Sequence, residues 1–149
     1  MKLTADGIKA QAQAVGFDLC GIAQARDFPE LSFLETWLHK GFSGDMAYMS
    51  RTAARRADVR QVLSSALTVI SLGTVYNTDR PYSIERVDPL EAGVSRYAWG
   101  LDYHGVIGRR TRKLLQWMHE TSGTSFEAVA YVDTGPVQER VYAQHAGLG

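Results

Sequence analysis

Asp133 ends an apolar run, Ala128-Val129-Ala130-Tyr131-Val132, and is followed by Thr134-Gly135-Pro136. The run reads as a buried strand, so the acid is expected at the strand's C-terminal edge, where α/β proteins place much of their chemistry. A carboxyl there suits proton transfer. With an ordinary pKa of about 3.9, it would need desolvation or a neighbouring negative charge to stay protonated near neutrality, and the apolar run is expected to bury it. Gly135 suits an N-cap and Pro136 a first helical turn, so a helix is expected to open there. That leaves a plainer role for Asp133, accepting hydrogen bonds from the helix's unpaired N–H groups.

Three further groups carry potential chemistry. Asp102-Tyr103-His104 with Gly108 approaches the cobalt-ligating pattern D-x-H-x-x-G, but Ile107 stands at its glycine position. His104 is therefore either a capping residue at a helix start or a ligand without the partners of a metal site. Two basic patches, Arg51, Arg55, Arg56 and Arg60, then Arg109, Arg110, Arg112 and Lys113, would either hold phosphates or form solvated helix faces. No Walker-type loop, G-x-G-x-x-G after a strand or Ser/His/Asp signature occurs, and Cys20 by itself cannot ligate an iron–sulfur cluster.

The elements that must position these groups follow from periodicity. Thr4 caps a helix with Ile8, Ala12 and Val15 on one face, which Gly16 stops before a strand over Phe17 to Ala23. Pro29 opens a second helix, with Leu31, Leu34 and Leu38 in register and Phe33 and Trp37 beside them, ending at Gly41. A glycine-punctuated loop from Gly41 to Met49 enters a short helical stretch that either lines a cofactor or packs as core. Val69 to Tyr76 reads as a central strand, followed by a polar loop from Asn77 to Gly93. Beyond the ring-rich segment Arg96 to His104, a helix carries Ile107, Thr111, Leu114, Leu115 and Met118 on one face and ends near Gly123.

At 149 residues and 45% hydrophobic content, the chain is long enough to bury a single core. Sixteen basic residues balance sixteen acidic ones, so bulk charge attracts neither nucleic acid nor membrane. Neither a signal-peptide apolar region nor an apolar stretch of membrane-spanning length is present, and the default expectation is cytosolic with no membrane partner. The expected fold is α/β, with α+β as the alternative: a layered domain whose central sheet is flanked by helices.

Five segments together resemble the epoxyqueuosine reductase (QueG) family, in the family's order and over essentially the whole chain. They are Gly16-Phe17-Asp18 with Gly21-Ile22-Ala23; Gly41 to Met49 with Arg51; Arg56-Ala57-Asp58; Arg96 to Gly100 with Asp102-Tyr103-His104; and Val132 to Pro136 with Glu139-Arg140 and Ala146 to Gly149. The match is to the family's N-terminal half. The resemblance implies a nitroreductase-like fold over residues 1–149 and a base-off cobalamin held against it. Two 4Fe-4S clusters would lie in a C-terminal ferredoxin-like region absent here, without which the isolated 149 residues should be inactive. The implied reaction reduces epoxyqueuosine to queuosine at the wobble position of tRNA, with the anticodon loop as partner and a monomer expected. Residue by residue, Asp133 matches the family's catalytic acid and Arg56, Tyr97 and Asp133 its cobalamin contacts, with Tyr97 or Ala98 facing cobalt. Arg140 matches a substrate contact. The rival readings are a non-catalytic corrinoid- or RNA-binding module and a relative of corrinoid reductive dehalogenases.

Overall fold

The computed structural model describes residues 2–85, 88, 90 and 92–149. Helix α1 (Ala5–Ala14) opens where expected: the Thr4 hydroxyl accepts from Gly7 N at 3.1 Å, satisfying one of the N–H groups a helix start leaves unpaired. Gly16, at φ 101°, turns the chain into strand β1 (Leu19–Gln24), a backbone conformation that favours glycine. Helices α2 (Phe33–His39), α3 (Ala47–Arg51) and α4 (Ala53–Ala57) follow, with a 3₁₀ turn at Pro29–Ser32 leading into α2. Strand β2 (Thr68–Gly73) then pairs antiparallel with β1, in a register that sets Leu19 opposite Gly73 and Gln24 opposite Thr68. The chain ends with the long helix α5 (Tyr103–Ser122) and the short α6 (Glu139–His145).

Alternation along the two strands builds the layers, because successive side chains point to opposite faces. Cys20, Ile22, Ile70 and Leu72 pack against the core of Ile8, Ala12, Phe17, Leu114 and Met118, which α1 and α5 supply. Ala23 and Val69 turn the other way, onto Phe28, Leu31, Val59 and the fully buried Tyr142 of α6. The sheet thus lies between two helical layers, as the mixed α/β expectation held, and its antiparallel pairing is the α+β form of that arrangement.

Three expectations are corrected. Residues 128–132 form no strand: they have no ladder partner, and Val129 and Tyr131 are exposed. An apolar run carries the composition of a buried strand, but burial needs a neighbour on which to lie. The second strand stops at Gly73, and Val75 and Tyr76 stand exposed, because the Asp18 carboxylate accepts from Val75 N at 2.8 Å and leads the chain off the ladder. Phe33 sits 65% exposed on the outer face of α2, outside the stripe formed by Leu31 and Leu34. Of the loop expected over Asn77 to Gly93, residues 86, 87, 89 and 91 lie outside the described residues.

Gly21 fixes how closely α6 approaches the sheet. A Cβ there would stand 2.7 Å from the Ala146 Cβ and 2.8 Å from the Ala146 carbonyl oxygen, closer than atoms pack. Gly21→Ala is expected to destabilise the fold by about 1–3 kcal/mol through overpacking, read as a lower urea midpoint at unchanged slope.

Candidate active site

Asp133 occupies a backbone turn that is costly to make. Its φ is 55°, the one positive value at a non-glycine residue among the described residues, and Thr134 N donates to Val132 O at 2.6 Å across it. This is a γ-turn of the rare positive-φ kind. Such a conformation costs about 1–3 kcal/mol and persists only where surrounding structure enforces it, a circumstance concentrated at functional sites.

The enforcing contacts come from three elements. The Tyr103 hydroxyl, in the first turn of α5, donates to Asp133 Oδ2 at 2.6 Å. Gly135 and Pro136 are buried, and Tyr131 lies so close over Gly135 that a Cβ there would collide with its ring. Beyond them, Arg56 Nη1 donates to Val137 O at 3.3 Å, and the Gln138 amide returns two bonds, to Arg56 O at 3.0 Å and Leu31 O at 3.1 Å. Helix α6 accordingly begins at Glu139, three residues beyond Pro136, which corrects the expected start. The Gly135-Pro136 pair, which reads as a helix opening, is spent on a buried connection from the acid to α6.

The carboxyl of Asp133 is exposed, and the expected burial beneath the apolar run is overturned along with the strand that was to supply it. Its influence is visible on neighbouring groups. The bond to Asp133 is the chief cause of the Tyr103 phenol being pushed up to about 12, helped by desolvation and by the nearby Tyr97 and Asp102. Glu139 lies in the same charge cluster. Although the residue as a whole is open to solvent, desolvation raises its carboxyl above the ordinary value, Asp133 adds to the rise, and Arg56 opposes it.

A row of rings leads to the acid. Tyr76 meets Tyr97 edge-on at 6.3 Å, and Tyr97 meets Tyr103 edge-on at 5.8 Å. His104 lies tilted beside Tyr103 at 4.2 Å. Asp102 caps α5, accepting from His104 N and pairing with its Nδ1, each at 2.9 Å, so His104 takes the capping role of its two readings. These bonds, the backbone one foremost, hold the Asp102 carboxyl below its usual range. Alongside, Arg96 gathers the preceding loop: it donates to Asn77 Oδ1, to Thr78 O at 2.9 Å and to Arg80 O, with its guanidinium 4.3 Å over the Tyr82 ring. Together with Tyr76 and Trp99 it lines an open cleft of about 340 Å³.

Of the residues singled out by sequence, Tyr97 and Asp133 are joined through Tyr103. Arg56 is half-buried and spends donors inside the chain, on Thr52 Oγ1 at 3.0 Å and Val137 O. Arg140 is exposed on the first turn of α6. In the first basic patch, Arg60 is committed to Asp58 and Asp27 at 2.8 and 2.7 Å; in the second, Arg110 reaches Thr74 Oγ1 at 3.3 Å. Among the described residues no cluster of three or more His, Cys, Asp or Glu side chains is arranged to hold a metal ion. Sequence reasoning assigned no role to Tyr103, Gln138 or Glu139. The signal for Tyr103 was its place immediately after a capping Asp in a ring-rich segment, but its partner lies thirty positions away.

The family model for epoxyqueuosine reductase QueG, DUF1730, matches residues 56–134, from Arg56 to the turn at Asp133. The chain belongs to this family. The epoxyqueuosine reductase of Gloeobacter violaceus is 43% identical over all of this chain and 45% of its own length. The structure of epoxyqueuosine reductase from Streptococcus thermophilus superposes with a TM-score of 0.74 at 27% identity, over 96% of this chain and 38% of that one. An epoxyqueuosine reductase solved with a tRNA-Tyr epoxyqueuosine-modified stem loop shares the fold, with a TM-score of 0.69 at 20% identity. The chain spans less than half the length of these QueG relatives.

Gln138 is expected to hold the site's geometry at a distance from the acid. Gln138→Ala removes the donor from two backbone carbonyls and should cost about 1–3 kcal/mol. Hydrogen exchange should quicken across α6 and leave α1 unchanged.

Proposed function

We propose that this chain is the cobalamin- and substrate-facing part of a tRNA epoxyqueuosine reductase, with Asp133 as the acid that protonates the departing epoxide oxygen. The observation that carries the reading is the strained turn at Asp133, held by a tyrosine and lying inside the stretch matched to the family. Residues that pay for an unfavourable backbone conformation on a solvent-facing turn are most simply explained by the chemistry of the side chain so placed.

The residues fit a flat, amide-fringed macrocycle. Tyr97 is half exposed in the middle of the ring row, Asp133 stands beyond Tyr103, and Tyr76 at the row's other end lines the open cleft. Tyr97 would supply an apolar face, and a bound cobalamin would supply the reducing electrons. Arg56 is assigned a supporting part, since its guanidinium ties α4 to the chain leading into α6 and leaves less of it for the cofactor than the resemblance implied. Arg140 is retained as a substrate contact because it projects from the first turn of α6, seven residues beyond the acid.

We assign residues 1–149 to one domain, and the remaining length of the relatives to the region that carries two 4Fe-4S clusters. The tRNA anticodon loop is the proposed partner, consistent with the stem loop bound in the solved relative. Among the described residues no helix is long and apolar enough to cross a membrane; a cytoplasmic monomer is proposed. A non-catalytic binding module has no use for a strained acid, which favours the enzymatic reading.

In the full-length protein, Asp133→Asn should bind cobalamin with unchanged visible spectrum and lose turnover by about 100-fold or more, the scale of general acid catalysis. Retained turnover in a single-turnover assay on epoxyqueuosine tRNA would remove Asp133 from the chemistry.

A further inference from the structure

We propose that Tyr103 recharges Asp133 during turnover, its phenolic proton passing to the carboxylate so that one acid can deliver two protons to the same oxygen. The inference deepens the functional reading above and rests on it. Converting an epoxide to an alkene consumes two electrons and two protons, and the oxygen leaves as water. The ring oxygen needs one proton as its first C–O bond opens and another as the second breaks. Asp133 holds one proton at most.

The geometry supplies a source. The Tyr103 oxygen lies 2.6 Å from Asp133 Oδ2, with the hydroxyl already aimed at the carboxylate. In the recharging step the Tyr103 O–H bond breaks and an O–H bond forms on Asp133, which then gives its proton to the substrate oxygen. The phenolate takes a proton from solvent, to which the half-buried Tyr103 is open. No electrons move in the relay. Transfer is uphill from phenol to carboxylate, and downhill overall to an oxyanion far more basic than either group. Tyr103 acts through Asp133 and is in that sense a positioning residue; Asp133 is the group that meets the substrate.

The surroundings of the pair are charged and titratable on every side. Tyr97 and Asp102 flank the phenol from the segment before α5, and His104 lies beside its ring. Glu139, on α6, is within electrostatic reach of both Asp133 and Arg56. The phenol is thereby kept protonated until a stronger base is generated at the carboxylate's far side.

Two measurements test the relay. In the 149-residue chain, ultraviolet titration of wild type minus Tyr103→Phe should reveal one phenol ionising near pH 12, and Asp133→Asn should bring that titration back toward 10. A Tyr103 titration indifferent to Asp133→Asn would overturn the pairing. In the cofactor-loaded full-length enzyme, Tyr103→Phe keeps the ring and removes the proton. Its kcat should fall about tenfold per pH unit between pH 6 and 8 as Asp133 waits for solvent protons, while wild type changes by less than about threefold. Parallel profiles overturn the relay alone. If the wild-type enzyme leaves the epoxide intact at every pH, the functional reading fails and the relay fails with it.

Discussion

The turn at Asp133 is the constraint on which the arrangement of the site depends. A non-glycine residue at φ 55° is not held by any ladder or helix, so its conformation must be imposed from outside. The imposing groups sit on separate elements: Tyr103 on α5, and Arg56 on α4, which is tied to Val137 and Gln138 just before α6. Remove the turn and these helices lose the short connection through which the site is assembled. The sheet contributes indirectly, by seating α5 on one face and α6 on the other, with Gly21 allowing the second of these to come close.

Periodic elements were legible because their physics is local. Thr4, Gly16, Pro29 and Gly123 punctuate helices through hydrogen bonds and backbone angles that depend on a few neighbouring residues, and each stands at or beside an observed boundary. The apolar stripe of Leu114 and Met118 could be read for the same reason. Residues 128–132 were misread because strand composition is a statement about burial, and burial depends on a partner that sequence spacing does not supply. The Gly135-Pro136 pair misled in a similar way: both residues are buried, but by Tyr131 and the connection to α6 rather than by a helix start.

The site divides along the same line. Asp133 and Tyr97 were found through motif positions, and the structure brings them to either side of one tyrosine. Arg56 was found too, but its contacts inside the chain make it a brace, a role the motif could not distinguish from ligand binding. Tyr103 and Gln138 gain their meaning from bonds spanning 30 and 82 residues, and nothing in the spacing of side chains announces them.

An exposed acid hydrogen-bonded to a phenol leaves the proton donor without the shielding that the apolar run was expected to supply. Burial would have met the difficulty by raising the acid's affinity for protons, and burial is not what this chain provides. The alternative is to place a second, weaker acid, the Tyr103 phenol, directly behind the carboxyl. Such a pair gives up nothing to bulk water at rest and becomes a donor only when a much stronger base arises at the reacting oxygen. The energy spent on the positive-φ turn then has a definite return: it brings one carboxylate oxygen of an exposed acid onto the tyrosine hydroxyl.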